Sequence, residues 1–172
     1  MNGAWTIEIA GTPVVIRAID GADEIARCAE IMSTSEPWIT LGRTRDEATR
    51  ILSDRETHEV YIAANGDAVV GFVILILKGA FVGYIRTIAV DEDWRSRGVG
   101  RHLISFAEER IFCDSPNAFI CVSSFNPRAR ALYERLGYEL IGELRDYIIR
   151  GSSELIMRKT LGPYSEFRRE RR

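Results

Sequence analysis

A chain of 172 residues, 46% hydrophobic and 28% charged, has the make-up of a soluble globular protein. At that length it can bury roughly 70% of its unfolded surface without disulfide or metal staples. A formal net charge of −2 supplies no field of one sign, which argues against nucleic acid or a membrane surface as the main partner.

The N-terminal residues Met1-Asn2-Gly3-Ala4-Trp5 carry no basic segment followed by an apolar one, so no signal peptide is expected. The longest apolar run, Phe72 to Leu77, falls far short of the about 20 residues that span a bilayer. Cys28, Cys113 and Cys121 are odd in number and none has CxxC spacing. Neither a disulfide framework nor a metal site is expected, and reduced thiols fit a cytoplasmic location.

Trp5 to Ile9 and Val14 to Ile19 read as strands joined across Gly11-Thr12-Pro13, an opening hairpin. After Asp20, the residues Ile25, Cys28, Ala29 and Met32 recur at helical spacing. Ser35-Glu36-Pro37-Trp38 breaks that helix, and a second short one is predicted from Arg45 to Leu52. Val60, Ile62 and Ala64 alternate into Asn65-Gly66, a hairpin signal whose two central residues need positive φ. The next run, Ala68 to Leu77, is nearly all apolar, as expected of a strand buried on both faces. Lys78-Gly79 turns the chain into a further strand from Phe81 to Val90, completing an antiparallel meander.

The periodicity then changes. Val99, Leu103, Phe106, Ala107 and Ile111 lie on one face of a helix predicted over Gly98 to Phe112. A short strand follows at Phe119 to Val122. Asn126-Pro127 then opens a second helix, with Asn as N-cap and Pro at the first position, and Gly137 closes it. Tyr138 to Leu144 and Glu154 to Lys159 form a terminal hairpin around Gly151-Ser152. Strand, helix and strand in succession imply a parallel pair with a right-handed crossover. The expected fold class is therefore α/β with a mixed sheet of about seven strands and four helices: a meander, one βαβ crossover and a hairpin. One domain over residues 1–163 and a charged, frayed tail over 164–172 are expected.

The most informative segment is Val90-Asp91-Glu92-Asp93-Trp94-Arg95-Ser96-Arg97-Gly98-Val99-Gly100, between a strand and an amphipathic helix. Glycines spaced by one residue let the backbone approach a ligand closely. The free N–H groups and dipole of a helix start favour an anion, and Arg95, Arg97 and Arg101 add positive charge. The pattern suits a pyrophosphate. It is not a dinucleotide fingerprint, because Leu103 stands where a third Gly would fall, and no Gly-Lys-Ser/Thr of a Walker loop follows.

Arg-x-x-Gly-x-Gly after Ile88-Ala89-Val90-Asp91 resembles the central motif of the GNAT family of N-acetyltransferases. Phe125-Asn126-Pro127-Arg128-Ala129-Arg130-Ala131-Leu132-Tyr133-Glu134-Arg135-Leu136-Gly137-Tyr138 is similar to that family's Asn-x-x-Ala-x-x-Leu-Tyr-x-x-x-Gly-aromatic stretch. The order of elements matches from Val14 to Lys159.

The resemblance implies acetyl-CoA as cosubstrate, a primary amine as acceptor and direct attack with no covalent acyl-enzyme. Its pyrophosphate would sit on the backbone of Arg95, Ser96, Arg97, Gly98, Val99, Gly100 and Arg101. Its pantetheine would lie as an added strand beside Ile88, Ala89 and Val90, near Asn126, which also fits a plain helix cap. An amine with a pKa near 8 to about 10.4 must lose a proton before it attacks. A backbone N–H of the strand ending at Val90 would hold the oxyanion, and Tyr133 matches the family's general acid.

For the base, some relatives place a Glu five residues before the motif Asn. Here that residue is Cys121, which departs from the pattern of the ribosomal-protein alanine acetyltransferases. Glu36, Tyr84 and Asp146 are substitutes, and each also fits a structural role. His58 and His102 read as surface or structural residues. Glu36, Trp38 and Tyr147 are the expected acceptor residues, with Trp38 equally readable as packing. Cys121 as an acyl carrier, and a non-catalytic acyl-CoA sensor, are the alternatives. Homodimerisation is common in the family, but no seam is readable here.

Overall fold

The computed structural model describes residues 4–79 and 82–168. The expected fraying of the terminal arginines falls on residues 169–172, outside that range. In chain order the elements are β1 (Trp5–Ile9), β2 (Thr12–Ala18), α1 (Gly21–Ser33), α2 (Arg45–Ser53), β3 (Glu59–Asn65), β4 (Ala68–Ile76) and β5 (Tyr84–Val90), then α3 (Val99–Phe112), β6 (Asn117–Ser123), α4 (Pro127–Arg135), β7 (Glu139–Arg145) and β8 (Ser153–Thr160). Short 3-10 turns lie at Glu92–Trp94 and Tyr164–Glu166.

The described residues form one mixed sheet of eight strands, ordered β1-β2-β3-β4-β5-β6-β8-β7. Every pair is antiparallel except β5 with β6. The meander, crossover and terminal hairpin are therefore present, with eight strands rather than about seven.

Several boundaries differ from the sequence reading for local reasons. Thr12 and Pro13 belong to β2, because Ala10 (φ 49°) and Gly11 (φ 79°) alone make the first turn. In the second hairpin Asn65 pairs with Ala68, so the central residues are Gly66 and Asp67. Of these only Gly66 has positive φ, at 56°, as in a hairpin turn with Gly first. Freed from the turn, Asn65 donates its side-chain amide to the Pro13 carbonyl at 2.8 Å. Strand β5 begins at Tyr84 because Gly83 (φ 93°) turns the chain immediately before it. Phe81, the expected start, lies outside the described residues.

The sheet is covered on both faces. On one side Ile19, Val60, Ile62, Phe72 and Ile74 pack with Cys28, Met32 and Leu52 of α1 and α2. On the other, Val14, Ile16, Val73, Leu75 and Ile85 pack with Leu103, Phe106 and Ile111 of α3 and with Tyr133 of α4. Strand β4 contributes to both clusters and is buried from Val69 to Leu75, which is why it reads as an unbroken apolar run. Burying a side chain the size of Phe72 or Leu103 contributes about 1.5–3 kcal/mol.

Two bulges interrupt the ladders on either side of β4. One falls at Val70, between the pairs Ala63↔Gly71 and Ala64↔Val69. The other falls at Arg86, between Ile74↔Thr87 and Leu75↔Ile85. A bulge re-aims side chains.

Candidate active site

Strands β5 and β6 pair only at Tyr84↔Phe119 and Ile85↔Ile120. Beyond that they diverge, β5 staying on β4 as far as Val90 and β6 staying on β8 as far as Ser123. The sheet thus opens as a V, leaving one edge of β5 available for main-chain hydrogen bonds. Two adjoining cavities fill the V: an inner one of about 210 Å³ and an outer one of about 580 Å³. Glu36, Ile88, Val90, Arg95, Asn126, Ala129 and Tyr133 line both, so they form one continuous cleft. Ala89 and Trp38 line the inner part.

At the outer end stands the glycine loop. Gly98, with φ 99°, is the N-cap of α3 and offers no capping side chain. Its Cβ position meets nothing within 4 Å, so a left-handed backbone rather than crowding demands glycine there. Ser96 holds the same left-handed region at φ 64°, an uncommon strain for a non-glycine residue. The free N–H groups of the 14-residue helix α3 open toward this cavity, lined by Ser96, Gly98, Gly100 and Arg101.

Arg95 spans the loop, donating to the Val90 carbonyl at 3.1 Å and to Ser35 Oγ at 2.6 Å. An ion pair from Arg27 of α1 to Asp91 ties down the end of β5. Arg97 lies over the Trp94 ring at 5.4 Å, a cation–π contact, and lines neither cavity. Val99 is buried, so its side chain belongs to the core and only its backbone faces the loop. Two basic residues of α4 that the sequence reading does not include, Arg128 and Arg135, line the outer cavity, and Arg128 donates to Ser96 Oγ at 2.6 Å.

The helix opposite supplies Asn126 and Tyr133. Asn126 Oδ1 accepts from Ala129 N at 3.1 Å, so the cap is real. The amide nitrogen has no partner among the described residues, leaving it available to a ligand. Tyr133 is only 6% exposed and still lines both cavities. Burial pushes its phenol well above the ordinary tyrosine value, so it is a proton donor throughout the neutral range.

The inner cavity holds the remaining candidates. Glu36 Oε2 accepts from Thr40 N at 3.3 Å, within the loop that follows α1. Tyr84 and Cys121 both line this cavity, and burial raises both groups above their ordinary values. Asp146 is held elsewhere: Oδ1 accepts from Gly151 N at 2.6 Å in the β7–β8 turn, and the residue lines neither cavity. Tyr147 stands 66% exposed outside the cleft, and the turn presents its neighbour Ile148 instead. His58 Nε2 lies 3.2 Å from Arg86 and Nδ1 lies 3.3 Å from the Ile51 carbonyl. Arg86 can only donate, so His58 accepts through Nε2 and donates through Nδ1. His102 packs edge-on against Trp5 at 6.5 Å, away from the cleft.

Three residues that sequence reasoning missed also line the inner cavity: Arg86, Ser123 and Glu154. Arg86 sits at the β5 bulge. Glu154 reaches the site because β8 inserts against β6 in the register Ser123↔Glu154. Among the described residues, no three His, Cys, Asp or Glu side chains converge as metal ligands, and no helix is long and apolar enough to cross a membrane.

A splayed parallel pair, a left-handed glycine loop at a helix start and a buried phenol share one cleft. Residues 24–138 match the acetyltransferase (GNAT) family, and the chain belongs to that family. The N-alpha-acetyltransferase RimI of Mycobacterium tuberculosis is 30% identical over 159 residues, 87% of this chain and 94% of that protein. An uncharacterised Mycobacterium leprae protein is 32% identical over 156 residues, 86% of this chain, and the chain spans only 41% of its length.

Among solved structures, an aminoglycoside 6'-N-acetyltransferase complexed with coenzyme A superposes with a TM-score of 0.72 at 16% identity, covering 86% of this chain and 97% of its own. The ribosomal-protein-S18-alanine N-acetyltransferase from Escherichia coli gives 0.69 at 18%, covering 89% and 97%. At these identities the structural likeness speaks for the fold alone.

Proposed function

We propose that the chain transfers an acetyl group from acetyl-CoA directly to a primary amine of a small molecule or a protein. The observation that carries this reading is the continuity of the cleft from the glycine loop to Tyr133. Each part fits a part of the thioester. The α3 N-terminus, with Arg101, Arg128 and Arg135 around it, suits the phosphates. The open edge of Ile88 to Val90 and the Asn126 amide suit the amides of the pantetheine arm. Tyr133 would donate its proton to the departing sulfur, and a main-chain N–H near Val90 would hold the carbonyl oxygen charge. The inner cavity, with carboxylates Glu36 and Glu154 and the ring of Trp38, favours a cationic amine. The relatives' printed activities, an N-alpha-acetyltransferase and an aminoglycoside N-acetyltransferase, support an amine acceptor. A cytoplasmic location and a homodimer belong to the same reading and need separate measurement.

The test is thiol release from acetyl-CoA over a panel of amines, alongside calorimetry with acetyl-CoA and free CoA. Turnover of at least one amine is expected. Binding without turnover on any amine would favour a sensing module, and no heat with either nucleotide would end the reading.

Cys121 as an acyl carrier is disfavoured. Its thiol is partly buried and pushed upward by that burial, whereas a nucleophilic cysteine needs a lowered value. Cys121→Ser is therefore expected to keep sequential kinetics, with no burst of thiol in the absence of amine. Loss of a wild-type burst in that variant would restore the ping-pong route.

A further inference from the structure

We propose that Glu154 is the general base of the acetyl transfer, positioned by Ser123. The inference rests on the transferase reading and adds the proton acceptor which that reading leaves open.

Strand order creates the site. Because β8 lies between β6 and β7, Glu154 stands beside Ser123 where β6 has already left β5. Its side chain is 7% exposed, yet it lines the inner cavity together with Glu36 and Tyr133. Ser123 Oγ donates to Glu154 Oε1 at 2.6 Å. Oε2 has no hydrogen-bond partner and the carboxyl has no ion-pair partner among the described residues. A buried carboxyl held by one oxygen, with the other left to a cavity and no ion pair to offset its charge, is costly to a fold. Such an arrangement suits a group that takes and releases a proton.

The titratable and charged groups that share the cavity with it are Tyr84 and Arg86 from β5, Cys121 from β6, Glu36 from the loop after α1, Arg95 from the glycine loop and Tyr133 from α4, with Ser123 of β6 bonded to it. Its β7 partner, Leu144, carries no charge. Burial raises the Glu154 carboxyl above its ordinary value, and the Ser123 hydrogen bond opposes the rise. A raised value narrows the gap to an ammonium ion, which makes a carboxylate a better base for an amine.

The step balances. The Glu154 carboxylate takes a proton from the ammonium form of the acceptor, and the freed nitrogen pair forms the C–N bond at the acetyl carbonyl. The C–S bond breaks with its electron pair on sulfur, which receives the Tyr133 proton. The extra proton on the new amide nitrogen returns to the Tyr133 oxygen, and Glu154 releases its proton to water.

The experiment compares wild type with Glu154→Gln, Glu154→Asp and Ser123→Ala. The probes are acetyl-CoA with an alanine-initiated tetrapeptide or kanamycin, whichever the wild type turns over faster. Glu154→Gln is expected to lose about 100-fold in kcat, with KM for acetyl-CoA unchanged. The acid limb of its kcat–pH profile should be replaced by a tenfold rise per pH unit as the amine deprotonates unaided. Glu154→Asp should recover part of the rate. Ser123→Ala leaves the carboxyl in place but removes the bond that stabilises its charged form, so the acid limb should move to higher pH.

Stability gives a further readout. A carboxyl whose value is raised in the fold stabilises it below the ordinary carboxylate range, and that contribution is lost as pH rises through the raised value. At pH 8 the Glu154→Gln protein should therefore melt no lower than wild type. An intact kcat and acid limb in Glu154→Gln, or an unmoved limb in Ser123→Ala, overturns the role of Glu154 and leaves the transferase reading standing. A wild type that binds acetyl-CoA and turns over no amine of the panel overturns both.

Discussion

Replacing Tyr133 with phenylalanine is expected to lower kcat by about 100- to 1,000-fold while leaving the affinity for acetyl-CoA unchanged. The phenol lines both halves of the cleft, and burial holds it protonated well beyond the ordinary tyrosine range. A proton donor to a leaving thiolate must meet both conditions. Phenylalanine keeps the ring, which packs with Tyr138 at 6.1 Å and belongs to the core on the α3 face. Among the described residues the Tyr133 hydroxyl has no hydrogen-bond partner, so its removal strands no buried donor or acceptor. The melting temperature should hold, and the loss should fall on chemistry rather than on folding.

Steady-state thiol release and calorimetry with acetyl-CoA separate the two. The pH dependence has a definite sign. The acid must be protonated to act, and its value is raised, so the alkaline decline of wild-type kcat should lie above pH about 10. Undiminished kcat in the phenylalanine variant would make Tyr133 a packing residue and remove the strongest argument against a sensing module.

The two ends of the cleft differ in how far the sequence reveals them. The apolar run of β4, the glycine loop and the Asn126-Pro127 helix start are local signals, since each depends on neighbours along the chain. They place the meander, the crossover and Tyr133 from the sequence alone. The acceptor end depends on contacts that no local pattern encodes. Glu154 reads as the polar first residue of a short strand; only the insertion of β8 beside β6 puts it at Ser123. Arg86 enters through a bulge that breaks the alternation of β5. Tyr147 and Ile148 are adjacent in a turn, and which of them faces the cleft is set by a backbone in which Asp146 adopts φ 50°. Charge groups Arg97 with its neighbours, but the Trp94 ring draws it away from the cleft.

The V-shaped opening has an apex, and Gly83 sits at it. Its carbonyl accepts from Phe119 N at 2.9 Å, one residue before the first parallel pair, Tyr84↔Phe119. At φ 93° it lies in the left-handed region, and an added Cβ would stand 2.3 Å from the Asn117 carbonyl oxygen and 2.6 Å from Ile111 Cγ2. Gly83→Ala therefore combines a left-handed penalty of about 1–2 kcal/mol with overpacking of about 1–3 kcal/mol. Urea unfolding should show a loss of about 2–5 kcal/mol at unchanged m-value.

Gly11→Ala is the matched control. That glycine has φ 79° but nothing within 4 Å of its Cβ position, so only the left-handed penalty should appear. The excess in Gly83→Ala measures the crowding between β5 and β6. A side chain can rotate away from such a contact, but the Asn117 carbonyl belongs to β6 and must carry the strand with it. Displacing β6 alters the width of the V, so acetyl-CoA affinity should fall in Gly83→Ala and hold in Gly11→Ala. Equal unfolding midpoints for the two variants would mean that β6 shifts freely at the apex, and that the geometry of the cleft is set elsewhere.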